Sequence, residues 1–283
     1  MWSPLSRLTI TGGGRFDHHS VYGDKLSGRL GGVVTLQPNL HVKLLYGSAF
    51  KAPSLQLLYG SPLMPGDITG NQQLKPSYVH TVETQVSYRP SRYIVVTSGV
   101  AYSYLLDQAA FAQSGINQVA LNISKVGSLS WESEARFDYR RKIAAYGNVS
   151  LNHTVSALSG NNYVGSLANY SNAAYPTVIA NAGTSAEVPR VPLRVSAELS
   201  YLSSRRSSSA NTLEAGQWYT LHPYVVLGGA IRTIGWRLLP QKETILMLVM
   251  RNLANTKYAD PGFAGIDYPQ LGRTFMLQAI QEF

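Results

Sequence analysis

A chain of 283 residues with no cysteine, 14% charged residues and a net charge of +9 excludes a disulfide framework, a cysteine-ligated metal site and the usual highly charged soluble surface. Its basic residues come singly or in short groups, Arg140-Arg141-Lys142 and Arg205-Arg206 being the densest, so no basic stripe marks a nucleic-acid partner. No run approaches the ~18 apolar residues of a membrane-crossing helix, which leaves membrane strands open, because a β-barrel hides its apolarity in alternation.

The first ten residues, "MWSPLSRLTI", hold no apolar signal-peptide core and no cleavage site. A membrane-strand protein beginning this way is expected to be a fragment or a processed piece of a longer one. Alternation starts at once: Leu8, Ile10, Gly12, Gly14 and Phe16 share one face of a predicted strand over 5–18. Gly12-Gly13-Gly14 belongs to that strand; no helix or Lys-Ser/Thr follows, so it is not a phosphate loop. His18 and Ser20 have the spacing of a His-x-Ser phospholipase pair, but no orienting Asn or Asp is identifiable around them.

Further strands are predicted over 25–37, 40–50, 77–89, 92–106, 126–140, 143–157, 175–188, 191–205, 219–237, 243–254 and 268–283, twelve in all. In 40–50, Leu44, Tyr46 and Ser48 oppose Lys43, Leu45 and Gly47. In 126–140 the contrast is sharper: Leu129, Trp131, Phe137 and Tyr139 oppose Glu132, Glu134, Arg136, Asp138 and Arg140. His153 is the one polar residue on the apolar face of 143–157. Segment 243–254 is apolar on both faces and is assigned as strand by its place between turn and loop.

Pro38-Asn39, Pro90-Ser91, Arg141-Lys142, Pro189-Arg190 and 238–242 read as tight connections. The intervening ones, 19–24, 51–76, 107–125, 158–174, 206–218 and 255–267, read as longer polar loops. Short turns on one rim and long loops on the other are the arrangement of an outer-membrane barrel. Nine aromatics fit interfacial girdles: Tyr46, Tyr59, Tyr88, Tyr104, Trp131, Tyr139, Tyr201, Trp218 and Tyr258. The six histidines are scattered, and adjacent His18 and His19 face opposite ways on a strand, so no metal site is expected.

"YGSAFKAPSLQLLYG" followed by "NQQLKPSYVHTVETQVSY" resembles a region of TonB-dependent outer-membrane receptors, with an aromatic-Gly strand end, an Ala-Phe-Arg-Ala-Pro-Ser-like loop and a strand glutamate. Tyr46, Gly47, Phe50, Pro53 and Glu83 match; Lys51 stands where Arg is usual and Ser77 where Glu is usual. The C-terminal "RNLANTKYADPGFAGIDYPQLGRTFMLQAIQEF" is similar to the family's ending at Asn252, Gly272, Arg273 and Phe283. The resemblance implies an all-β antiparallel transmembrane barrel, residues 1–283 being the C-terminal part of a 22-stranded wall, without the N-terminal plug domain. It implies a Gram-negative outer-membrane location and an intact receptor, not an enzyme, that imports a scarce ligand such as a ferric siderophore or cobalamin.

Expected partners are outer-membrane lipid and lipopolysaccharide, the TonB complex through the plug, and the barrel-assembly machinery at the C-terminal strand; no cofactor is implied. Loop residues Lys51, Ser54 and Tyr59 and wall residues Glu132, Glu134, Arg136 and Asp138 are the candidate ligand contacts. The alternative is an autonomous twelve-stranded passive pore or membrane enzyme. A plug-like segment upstream would decide for the receptor.

Overall fold

Period-two alternation places successive side chains on opposite faces of a strand, and strand is what nearly all of it forms. The computed structural model describes residues 2–64, 67–159, 175–207, 219–239, 242–263 and 266–281. In chain order the strands are β1 Trp2–Leu5, β2 Leu8–Asp17, β3 Lys25–Gln37, β4 Leu40–Lys51, β5 Ile68–Thr69, β6 Ser77–Ser91, β7 Ile94–Ser114, β8 Asn117–Tyr139 and β9 Ile143–Ser159. They continue as β10 Val178–Glu187, β11 Leu193–Leu202, β12 Arg205–Arg206, β13 Thr220–Leu221, β14 Tyr224–Thr233, β15 Thr244–Arg251, β16 Ala259–Phe263, β17 Ile266–Pro269 and β18 Thr274–Gln281. One short helix, α1 Leu55–Tyr59, lies between β4 and β5, and no described helix is long and apolar enough to cross a membrane.

The main sheet is ordered β1-β2-β3-β4-β6-β7-β8-β9-β10-β11-β14-β15-β18. β5 joins it separately, pairing parallel with β8 at Ile68↔Gln118 and Thr69↔Val119. All twelve predicted long strands are present, with corrections to their limits. The last, expected over 268–283, starts only at Thr274. The one expected over 219–237 ends at Thr233, so the connection read as tight at 238–242 is longer. The strand expected over 5–18 begins at Leu8; Ser6-Arg7 turns the chain, and β1 pairs antiparallel with β2 through Trp2↔Ile10. Pro4 obscured this strand in the sequence, since a proline within a short run argues against strand. The turn expected at Pro90-Ser91 falls at Arg92-Tyr93, with Pro90 near the end of β6.

The polar loop expected over 107–125 is not a loop. β7 and β8 run on to a two-residue turn at Gly115-Ile116, where Gly115 takes φ +63°, the backbone that glycine adopts without steric cost. Strand beyond the bilayer needs no alternation, so its pattern carried no signal. Finally, the span 219–237 is divided: β13 and β14 are separated by His222-Pro223, and the loop 255–267 contains the β16–β17 hairpin.

Cα packing gathers the chain into two compact units: Met1–Ser87, Gly99–Trp131 and Asn152–Asn172 form one, and Tyr88–Ser98, Glu132–Leu151 and Ala173–Phe283 form the other. In the first, the register Gly12↔Leu30, Leu30↔Tyr46 and Gly32↔Leu44 puts Leu8, Ile10, Phe16, Leu26, Leu30, Leu44 and Tyr46 on one face. Thr11, Arg15, Arg29 and Lys43 occupy the other. In the second, Val149↔Ala180, Ala180↔Tyr201, Leu199↔Leu227 and Ile231↔Leu248 run across the apolar face. Asn148↔Asn181, Gly183↔Glu198 and Glu187↔Arg194 run across the polar face.

The apolar face is left bare by the protein itself. Leu26 is 70% exposed, Leu30 58% and Leu44 56%. An apolar surface of this extent needs a cover, and strands of this length supply the ~9–11 tilted residues that cross a bilayer. The buried apolar core is accordingly small: Leu58, Leu74 and Ala120, packed with Leu57 and Ala109.

Candidate functional site

That small core belongs to the connection between β4 and β6, which is a folded element. Pro53 leads into Ser54, whose extended backbone and side-chain oxygen, accepting from Leu57 N at 3.4 Å, cap α1. Gly60 ends the helix, and Gly70 N donates to Gly60 O at 2.7 Å. Asn71 ties the loop down twice, receiving at its side-chain oxygen from Gln73 N and donating from Nδ2 to Ala120 O at 2.9 Å.

Asn122 fixes the exit. Its Oδ1 accepts from Lys75 N at 2.7 Å, while Nδ2 donates to Lys75 O and Asp107 O at 2.9 and 2.7 Å. Ser77, standing where a family glutamate is usual, donates to Asp107 O at 3.0 Å. The candidate ligand contacts of this loop therefore divide: Ser54 is engaged as a cap, while Lys51 and Tyr59 are exposed.

Beneath the loop, the family-motif aromatics come together on the apolar face. Tyr46 Oη lies 2.9 Å from His80 Nδ1, and Phe50 packs at 6.1 Å from Tyr78 and 6.3 Å from Tyr22. Gly47, beside Tyr46, faces open space. On the polar face, Lys43 and Glu83 approach to 4.0 Å beside Thr11, Arg29 and Thr81, around a recess of about 530 Å³. Arg29 and Lys43 were not singled out by sequence, since each is a lone basic residue until strand pairing brings both to the recess that Glu83 lines. Both members of the Lys43–Glu83 pair are more than a third exposed, so Lys43→Met is expected to shift the unfolding free energy by less than about 1 kcal/mol. A urea titration monitored by gel mobility checks this, and a larger loss would mean that the pair is structural.

In the second unit, Glu134, Arg136 and Asp138 line a recess of about 500 Å³ with Tyr146, Asn148 and Glu198. Arg136 pairs with Glu134, and Asp138 Oδ1 accepts from Arg141 N at 2.8 Å. Glu132 is exposed on the same side of the strand by alternation. Tyr146 lies over Gly183, where an added Cβ would stand 2.3 Å from its ring. The glycine is what lets the ring lie flat along this wall.

At the long-loop end of the second unit is a feature that sequence reasoning missed. Tyr219, His222, Tyr224, Lys257 and Tyr258 surround a recess of about 420 Å³. Tyr224 and Tyr258 pack with centroids 4.2 Å apart and line this recess together. The recess rests on a buried hub: Arg205 pairs with Asp260, donates to Ala259 O at 3.0 Å and lies over Tyr224. Tyr219 donates to Asp267 at 2.5 Å. Its sequence signal was the run Tyr219-Thr220-Leu221-His222-Pro223-Tyr224, which a single long strand absorbed; the proline should have broken that strand.

The C-terminal motif is a structural knot. Asn252, 2% exposed and at φ +50°, accepts from Thr256 N at 2.8 Å and donates to Thr256 O and Leu271 O. Asn255 accepts from Arg273 N at 3.0 Å, and a Cβ on Gly272 would come within 2.8 Å of the Asn255 side-chain oxygen. Phe283 and Trp218 lie outside the described residues, as do 160–174 and 208–218. His18 turns to Asp24, with Nδ1 2.6 Å from Oδ1, and His19 stacks on Tyr22 at 4.1 Å. Asp24 is thus an acid beside His18 that sequence reading did not identify, while no hydrogen bond from His18 to Ser20 is formed among the described residues. No group of three or more metal-ligating side chains gathers among the described residues.

Comparison with known proteins places this geometry. The iron-regulated outer membrane virulence protein of Vibrio cholerae serotype O1 is 33% identical over 135 residues, which cover 46% of this chain and 20% of that protein. Among solved structures, the FrpB iron transporter of Neisseria meningitidis, in an apoprotein form, superposes with a TM-score of 0.75 at 16% identity, covering 96% of this chain and 43% of its own. A ferric enterobactin receptor mutant from Pseudomonas aeruginosa gives 0.72 at 17%, covering 98% and 43%. The chain thus spans less than half the length of these proteins. The family model for the TonB dependent receptor-like β-barrel matches residues 1–253, and with strand order, face polarity and motif positions in agreement, the chain belongs to that family of outer-membrane receptor barrels.

Proposed function

We propose that the intact protein captures a scarce iron complex at its outer loops and imports it in a TonB-coupled cycle. The observation that carries this is the recess of Tyr219, His222, Tyr224, Lys257 and Tyr258: aromatic faces beside a cation suit an anionic chelate with planar ligand groups. The folded loop around α1, with exposed Lys51 and Tyr59, would supply further contacts. Glu132, Glu134, Arg136 and Asp138 would then hydrate the conducting wall or meet the plug.

Coupling to TonB would run through a plug domain, the wall would sit among lipid and lipopolysaccharide, and β18 would be the strand read by the barrel-assembly machinery. The iron-related names of the similar proteins support this ligand class over cobalamin.

The test uses the full-length receptor and a panel of ferric siderophores, with affinity read by quenching of intrinsic fluorescence. Tyr224→Ala and Lys257→Ala are each expected to weaken binding of the recognised chelate about 30-fold, the equivalent of a ~2 kcal/mol hot spot. Binding that is equal in both variants and the unmodified receptor would remove this recess from the ligand site. A receptor that binds none of the ferric chelates would refute the ligand class.

A further inference from the structure

At the short-turn end of the second unit, three guanidinium groups meet one carboxylate. Arg92, Tyr93, Asp138, Arg140 and Arg141 line an open recess of about 520 Å³. Arg92 lies over the Tyr93 ring at 4.6 Å, Arg140 over Tyr139 at 5.3 Å, and the two tyrosines pack 5.0 Å apart. We propose that this recess binds the phosphate of an anionic phospholipid headgroup from the membrane leaflet at the short-turn rim.

Three observations carry it. The first is unspent charge. Among the described residues no carboxylate is ion-paired with Arg92, Arg140 or Arg141. Asp138 spends Oδ1 on Arg141 N, Glu134 is paired with Arg136, and Glu187 is paired with Arg194 at 2.8 Å. Glu134 and Glu187 are therefore already ion-paired, Asp138 offsets only part of the charge of the three recess arginines, and those arginines remain exposed. Planar guanidinium forks match phosphate oxygens bidentately.

The second is the backbone. Arg140 and Arg141 sit at φ +53° and +60°, in a turn where Asn or Gly would be unstrained. Arginine is held there against local preference, and strain of this kind points to use of the side chain. The third is continuity with lipid. Tyr139 belongs to the apolar face of β8, with Phe137 and Trp131 along the same strand face. A ligand with phosphate in the recess could lay its acyl chains on that face. A free anion would use only the arginines.

The rim's position supplies the source. In outer-membrane barrels the short turns lie on the periplasmic side, where the leaflet is phospholipid. Basic groups beside an anionic lipid surface each gain about 1 kcal/mol, or roughly fivefold in local occupancy.

The experiment is native mass spectrometry of the full-length receptor in nonionic detergent, with equal amounts of phosphatidylglycerol and phosphatidylcholine of identical chains. The unmodified receptor is expected to carry phosphatidylglycerol at least about fivefold in excess, as one basic side chain at the surface would give. Millimolar inorganic phosphate is expected to leave that excess in place. R92Q/R140N/R141N should abolish it, and asparagine suits the two positive-φ positions. Equal binding of the two lipids to the unmodified receptor would overturn the proposal, as would a folded triple variant that keeps the preference. Displacement by phosphate alone would assign the recess to a free anion instead. Should the triple variant not fold, the lipid preference of the unmodified receptor and its resistance to phosphate decide the matter.

Discussion

A Phe137→Arg receptor is expected to reach the outer membrane in much smaller amounts than its parent, while Glu134→Gln accumulates normally. The two positions lie three residues apart on β8 but on opposite faces. Phe137 shares its face with Trp131 and Tyr139, and Tyr139 packs against Tyr93 on that side. Glu134 is paired with Arg136 and lines a polar recess with Asn148 and Glu198. A guanidinium on the lipid face costs about 2–4 kcal/mol near the bilayer midplane and ~0–1 near the interfaces. Glu134→Gln leaves a polar, hydrated group on the wet face, and its ion pair is exposed enough to be worth about 1 kcal/mol or less. Heat-modifiable band intensity in isolated outer membranes measures both. Equal yields of the two variants would mean that the faces of β8 are misassigned.

What made this wall legible was its solvent. A strand with lipid on one side and water on the other must alternate, so Trp131 to Arg140 declared their faces without any tertiary information. The register then extended the assignment: Gly12↔Leu30 and Leu30↔Tyr46 align the faces that the sequence had given to Gly12 and Tyr46 separately, and place Leu30 between them. β15 is the exception, with Ile245, Leu246, Met247 and Leu248 apolar on both faces, and only its place between neighbours identified it.

Outside the bilayer the rule lapses. Residues 107–114 read as loop, although they continue β7; beyond the bilayer this hairpin sets Ala109 and Ala120 against the small core of the α1 loop, and no lipid-water boundary imposes alternation on it. The candidate site was legible only in part for the same reason. Asn252 and Gly272 were recognised by family motif, but their shared knot depends on contacts 19 residues apart, as in Asn252 Nδ2 to Leu271 O. The tyrosine recess needed His222-Pro223 to be read as a break, and its hub pairs Arg205 with Asp260, 55 residues away. No local spacing encodes that pairing.

Gly70→Ala is expected to unravel the α1 loop while leaving the strands intact. A Cβ at position 70 would stand 2.6 Å from Gly60 N, 2.7 Å from Leu58 O and 2.8 Å from the Tyr59 carbonyl carbon. All three are backbone atoms at the end of α1, so no side chain can rotate away to relieve them. Separation would break the 2.7 Å bond from Gly70 N to Gly60 O and pull Leu58 from its contacts with Leu74 and Ala120. Overpacking of this kind costs about 1–3 kcal/mol. A loop held by three core residues and a few hydrogen bonds has little reserve against such a loss, whereas the ladder on either side has long registers such as the eight pairs of β3 with β4. Limited proteolysis should therefore cut the variant within residues 55–75 under conditions that spare the parent, with heat-modifiable mobility retained. If the loop contributes to capture, siderophore affinity falls with it, by up to about a hundredfold for ~3 kcal/mol. Protease resistance equal to the parent's would show that the segment tolerates the added methyl by moving as a unit, and would remove the close approach at Gly70 as the pin of the loop.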